Sequence, residues 1–573
     1  MTNQLAQPAF RVLTSHTFLH QVFIRGRPTV RLGVSFAGDS AILKRAANMG
    51  KFRIGSWFGT KSNGPAHMDA EHKKNNRRTS SYFASDSPLK VDLQSGAIEK
   101  TFCNKKGGGI DGKVDRPSVS TTKSVSDKAS DKVSTPSSKS SDMINLSKKI
   151  AGETEKLERY MKANGLAMPG FGVDAADDFP KLPEEIQESR LGIIHATKEL
   201  RDLAVGPREN LRWGVWEFLD VLALQVINNY GIAKLVPLDK PIALTELQSL
   251  TTLDPINLAR ILRTAMTNHI FSEPSPGVIA HTAASRLLAT DDNLVAWVGF
   301  NSEDIFPSAA HTLEALKKFP DATSLTQSGF QFAFNTVDKE PIFSTFRKDE
   351  TRARRMGLAM ASLTNGEGYE PSFFVNGCDL SEVDARSGTF VDIGGSHGFV
   401  CVELARRWRG MRFVVQDLVS TVESAPNPVS EGGQVAERVK FMAHDFFMEQ
   451  VVKGADVYYF RWIMHNYSTP YAVKILQNLV PALKPGARII INDHCLREPG
   501  QENAWDEKIM RRMDMVMLTL LNAQERTEAE FRELFRLADE CFVFKGVTRP
   551  NGCRMSIIEA VWEGVDNTSK SGG

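Results

Sequence analysis

Cysteine is scarce in this 573-residue sequence: Cys103, Cys378, Cys401, Cys495, Cys541 and Cys553 are scattered and form no C-x-x-C pair. That excludes a disulfide framework and a cysteine-held zinc site, and no other metal site is expected. It suits a reducing compartment, so a cytoplasmic location is the expectation. Long apolar runs are also missing, and without a stretch of ~18 such residues no helix is expected to span a membrane. Acid is nearly absent from residues 1–60, where Asp39 stands alone against eight Lys and Arg.

That last deficit belongs to a wider asymmetry. Residues 1–142 hold 23 Lys and Arg against 11 Asp and Glu, whereas the remainder holds 47 against 57. An acidic body is a poor nucleic-acid binder, because neutralising phosphates requires surplus Lys and Arg. The basic segment resembles a mitochondrial presequence in its arginines and missing acid, but it is long and lacks an amphipathic helix. The preferred expectation is a disordered basic, Ser/Lys-rich extension over 1–142, or sequence upstream of a start at Met143. Between Pro117 and Ser141, 13 of 25 residues are Ser or Thr. Such a stretch buries too little apolar surface to offset its ordering entropy.

From residue 144 the texture turns globular, and a chain of this length suggests about three folding units. Ile150, Leu157, Tyr160 and Met161 recur at helical spacing, as do Ile193, Ala196, Leu200 and Leu203. Leu244–Leu250, the break Asp254-Pro255 and Ile256–Met266 predict a helix–turn–helix, with Asp254 as cap and Pro255 at the first helical position. His269–His281 would form a small wing. Residues 208–290 carry seven basic and seven acidic side chains, so this unit has no basic face for DNA; packing or dimerisation is the expected role. Trp297, Phe300, Phe306, Phe330, Phe332 and Phe334 are either ordinary core or the wall of an aromatic pocket.

From Thr389 strands and helices alternate as in a parallel, doubly wound sheet. Strands are predicted at 390–393, 412–415, 439–443, 455–460 and 488–492. A hairpin over 541–546 and 555–562 turns at Pro550-Asn551-Gly552. Gly394, Gly395 and Gly398 do not match G-x-G-x-x-G. Asp392, Asp417 and Asp445 fall at successive strand ends, which in an open sheet face one crevice. An acid ending the second strand suits ribose hydroxyls, and one ending the third suits an adenine amino group. No phosphate-binding lysine follows the turn, so S-adenosyl-L-methionine fits better than ATP or NAD. His465 follows the fourth strand and should face the same crevice.

Met161–Phe171, the helix–turn–helix, Val391–Gly398, Phe460–Tyr467 and Gln524–Phe531 together make residues 145–563 resemble the fungal members of the plant-type small-molecule O-methyltransferase family. The resemblance implies a Rossmann-like α/β class I methyltransferase domain (376–565). It also implies a helical, winged-helix dimerisation domain (143–290), and a helical connector with substrate-pocket residues lies between them (291–375). The activity implied is S-adenosylmethionine-dependent methylation of a phenolic hydroxyl on a polyketide-like secondary metabolite, by a homodimer.

Carried over residue by residue, the resemblance puts Gly394 and Gly395 at the methionine end of the cofactor, Asp417 at the ribose, and Asp445 with Phe446 at the adenine. Arg461, which would lie against the cofactor, stands where plant members have Lys, and Ser396 where they commonly have Gly. His465 would be the general base, with Asp493 and Glu525 beside it. A phenol has a pKa near ~10, so at pH 7 only about one molecule in a thousand is ionised, and a positioned base is what the reaction needs. Met513, Met515 and Met517 share a helix with Asp514. Their pliable thioethers suit flat aromatic rings, and Met515 and Met517 are the expected substrate contacts. The competing reading is a catalytically silent relative that binds cofactor and acts through partners; a nicotinamide dehydrogenase is disfavoured by the glycine spacing.

Overall fold

The computed structural model describes residues 143–426, 429 and 433–565; the basic extension and the linker over 117–141 lie outside the described residues. Among the described residues no helix is long and apolar enough to cross a membrane.

Helices Met143–Ala163 and Glu184–Val205 pack together across the irregular, proline-rich connector between them. Glu184 and Glu185 occupy the first turn of the second helix, where negative charge complements the helix dipole. The helix–turn–helix forms over Leu244–Ser249 and Pro255–Met266. Asp254 caps the second helix, its Oδ1 accepting from the amides of Ile256 (2.9 Å) and Asn257 (3.2 Å). Strands Ser272–Ser275 and Val278–Ala280 follow as a hairpin, and Ile242–Ala243 adds a third strand. Ile227, Leu247, Leu258, Leu262 and Phe271 form the core of this unit.

Helix Asp292–Phe300 runs into helix Phe306–Lys318 through one π turn, Asn301–Ile305. Buried Asp304 in that turn is tied to Arg355 (2.6 Å) and Arg352 (3.3 Å) of helix Glu350–Thr364. These ion pairs hold the two helices as one wall.

The main sheet has seven strands: β1 (Thr389–Ile393), β2 (Arg412–Asp417), β3 (Val439–Ala443), β4 (Val457–Arg461), β5 (Ala487–Asp493), β6 (Phe542–Thr548) and β7 (Ser556–Trp562). Their order is β6-β7-β5-β4-β1-β2-β3, with only β7 antiparallel to its neighbours. All seven expected strands are present, their ends displaced by at most two residues. Alternation along β4 sends Val457 and Tyr459 into one apolar layer and Tyr458 and Phe460 into the other. Both faces are thus covered, as a parallel sheet requires. Each such side chain contributes roughly 1.5–3 kcal/mol of burial.

Candidate active site

The carboxyl ends of β1, β2 and β4 open on a cavity of about 470 Å³. At its floor, the turn after β1 takes left-handed conformations at Gly394 (φ 72°), Ser396 (φ 52°) and Gly398 (φ 74°). A Cβ on Gly395 would stand 2.5 Å from the Asp392 carboxyl, so no side chain fits there. Burial pushes that carboxyl up to about 7. Asp417, ending β2, accepts the amides of Ser396 (3.0 Å) and Leu418 (2.8 Å), which ties the turn to the next strand. The Ser396 hydroxyl and the Trp462 indole N–H are buried without a partner. Gly394, Gly395, Ser396, Asp417 and Arg461 all line the cavity; Asp445 and Phe446 do not, although the Phe446 ring lies 3.8 Å from where a Gly394 Cβ would be. Arg461 donates to the side-chain oxygen of Asn492 and, at 2.6 Å, to the carbonyl of Tyr369.

His465 sits in a short 3-10 turn, Met464–Asn466, directly beyond β4. Its ring lines the cavity, and its Nδ1 is 2.8 Å from Glu525 Oε1. Facing a carboxylate, Nδ1 carries the proton, which leaves Nε2 as the acceptor. Burial opposes charge on this imidazole, but Glu525 outweighs it and raises the pKa. Burial likewise pushes Glu525 up, yet His465 and the neighbouring His494 bring its carboxyl well below the usual range. Asp493 plays a different part from Glu525: it accepts the backbone N–H of His465 (3.1 Å), and burial raises its pKa. On the other side of the turn, fully buried Arg526 donates to the carbonyls of Met464 (2.7 Å) and Tyr467 (2.6 Å). The turn carrying His465 is therefore held through its backbone from both sides.

The remaining wall is apolar: Trp297, Phe300, Met356, Met360, Met513 and Met517 among others. Trp297 and Phe300 thus belong to the pocket, while Phe330 is fully buried core. Met515 requires correction as a pocket residue. It lies two positions from both Met513 and Met517, about 200° round the helix, and is 57% exposed. Tyr369, His494 and Arg526 escaped the sequence reading. His494 follows Asp493 just beyond β5, so the strand-end criterion that flagged the acids applied to it as well; Tyr369 comes from a distant loop with no such signal. Among the described residues no cluster of His, Cys, Asp and Glu could hold a metal ion.

A family model for an O-methyltransferase domain matches residues 323–539. A chlorophenol O-methyltransferase of Trichoderma longibrachiatum is 63% identical over 421 residues, spanning 74% of this chain and 90% of that protein. The O-methyltransferase pyvH of Aspergillus violaceofuscus is 37% identical over 432 residues, 74% of this chain and 100% of its own length. The crystal structure of OxaC in complex with SAH and oxaline aligns with a TM-score of 0.57 at 24% identity, over 73% of this chain and 99% of that one. That likeness, with the strand order above, makes the sheet domain a class I methyltransferase fold.

Proposed function

The chain belongs to the fungal, plant-type O-methyltransferase family, and we propose that it methylates a phenolic hydroxyl with His465 as general base. The observation that carries this reading is the His465 imidazole, lining an apolar cavity with its Nδ1 held by Glu525. Nε2 takes the proton of the phenol, and the resulting imidazolium is stabilised by the Glu525 carboxylate. Asp493 and Arg526 hold the turn, so the ring needs little reorganisation to reach the hydroxyl.

S-adenosylmethionine is the methyl donor, and when bound it supplies an electrophilic methyl group for the phenolate oxygen. The chain suits it. A turn with no room for a Cβ at Gly395, the unpartnered Ser396 hydroxyl and the Asp417 carboxylate all border the cavity. In this reading Gly394 and Gly395 take the methionine end, Asp417 the ribose, Asp445 with Phe446 the adenine, and Arg461 lies against the cofactor. The relative from Trichoderma makes a chlorinated phenol the first substrate to test, ahead of a polyketide phenol. Four methionine thioethers in the wall suit polarisable halogens and flat rings alike.

A homodimer is part of the same proposal. Leu211, Trp213, Val215, Trp216 and Phe218 are exposed in one short segment, an apolar patch of the kind that mating surfaces bury.

His465→Ala is expected to leave donor binding by calorimetry nearly intact and to slow methylation of a weakly acidic phenol by ~10²–10⁴. Unchanged turnover would remove His465 as the base.

A further inference from the structure

Glu525 serves two histidines. Its Oε1 lies 2.8 Å from His465 Nδ1 and 3.3 Å from His494 Nδ1, the second contact angled away from a formed hydrogen bond. His494 has no solvent exposure, and its Nε2 lies 3.2 Å from the hydroxyl of Tyr369, itself buried. One proton arrangement satisfies the whole chain. Tyr369 donates to His494 Nε2, His494 Nδ1–H faces Glu525, His465 Nδ1–H faces the same oxygen, and His465 Nε2 is left as an acceptor.

The arrangement has an alternative that would be inert. A carboxylate buried this deeply tends to take up a proton. A protonated Glu525 would donate to His465 Nδ1, and the single imidazole proton would then sit on Nε2, where the ring cannot accept from a phenol. The charged groups around Glu525 act in both directions. Asp493 and Asp514 are anionic neighbours that disfavour a charged Glu525, while the Arg526 guanidinium, whose hydrogen bonds go to two carbonyls, favours it through its charge alone. His465 and His494 both favour the ionised form, but His465 loses that effect once its Nδ1 is deprotonated, so the N–H of His494 is the contribution that does not depend on the His465 tautomer.

We propose that His494 is a positioning residue for the base: its N–H, backed by the Tyr369 hydroxyl, keeps Glu525 ionised and so keeps His465 in the tautomer whose Nε2 is free. This rests on the reading of His465 as general base. It predicts that His494 matters only where a proton must be removed, since a phenol already ionised needs no base.

The test compares His494→Phe, His494→Asn, Tyr369→Phe and His465→Ala on two chlorophenols, one weakly acidic and one so heavily chlorinated that it is ionised at the assay pH. His494→Phe should lower kcat for the weak acid ~10-fold or more, a fraction of the ~10²–10⁴ a general base supplies. KM should change little, and the ionised phenol should react within about twofold of the unmodified enzyme's rate. Asn places an N–H close to the position of Nδ1 and should recover most of the loss. Tyr369→Phe, which removes one hydroxyl and keeps the packing, should lower the same kcat to a smaller degree. Equal losses on both phenols from His494→Phe, or no loss from either His494→Phe or Tyr369→Phe, would overturn the proposal. If His465→Ala slows the weak acid while His494→Phe does not, only the role of His494 fails. If His465→Ala spares the weak acid, the general-base reading itself fails.

Discussion

Asp392 shows how a single buried side chain sets a pH limit. Its carboxyl lies under Gly395 and accepts from the Cys401 thiol at 3.5 Å, and burial raises its pKa from 3.8 to about 7. The folded protein therefore prefers the protonated acid. The stabilisation is complete below pH ~4, where the unfolded chain is protonated too, and disappears as pH rises through about 7. At ~1.4 kcal/mol per unit, the loss is on the order of 4 kcal/mol. Asp392→Asn should flatten that part of the stability curve, measured by urea unfolding between pH 4 and 8. An unaltered slope would show that the charge is accommodated some other way.

At the level of elements, the helix Ala504–Leu521 separates pocket from surface by phase alone. Met513→Ala should raise KM for the phenol about tenfold, the equivalent of ~1.4 kcal/mol of apolar contact, while Met515→Ala should leave it unchanged in steady-state assays. The sequence reading chose Met515 because it weighed residue type without helical phase. Strand assignment succeeded for the opposite reason. Runs such as Phe390-Val391 and Ile489–Ile491 are buried on both sheet faces, and their apolar character is continuous and local. Strand-end acids were legible because parallel topology brings those ends to one crevice. The Tyr369–His494 pair depends on a loop meeting the end of a strand 125 residues away, and no local pattern carries that information.

For the whole molecule, every side chain of the candidate site falls between Trp297 and Arg554. A chain beginning at Met143 is accordingly expected to keep full methyl-transfer activity. Its association should depend on the exposed segment around Trp213 and Trp216, whose rings meet edge to face at 5.1 Å. Leu211→Glu combined with Trp216→Glu should yield monomers in analytical ultracentrifugation, with helix content unchanged by circular dichroism. A persistent dimer would move the mating surface elsewhere.

The π turn at Asn301–Ile305 makes the cavity's outline depend on spacing as well as composition. Such a turn accommodates one residue more than a regular helix would. Removing a single amino acid there would restore regular winding with the downstream helix still in phase, so only the residues of the turn itself would be repositioned. Ile305 would swing off the wall, and Asp304 would lose its grip on Arg352 and Arg355. Insertions and deletions at this hinge thus offer lineages a way to remodel which rings fit, leaving the reacting groups untouched.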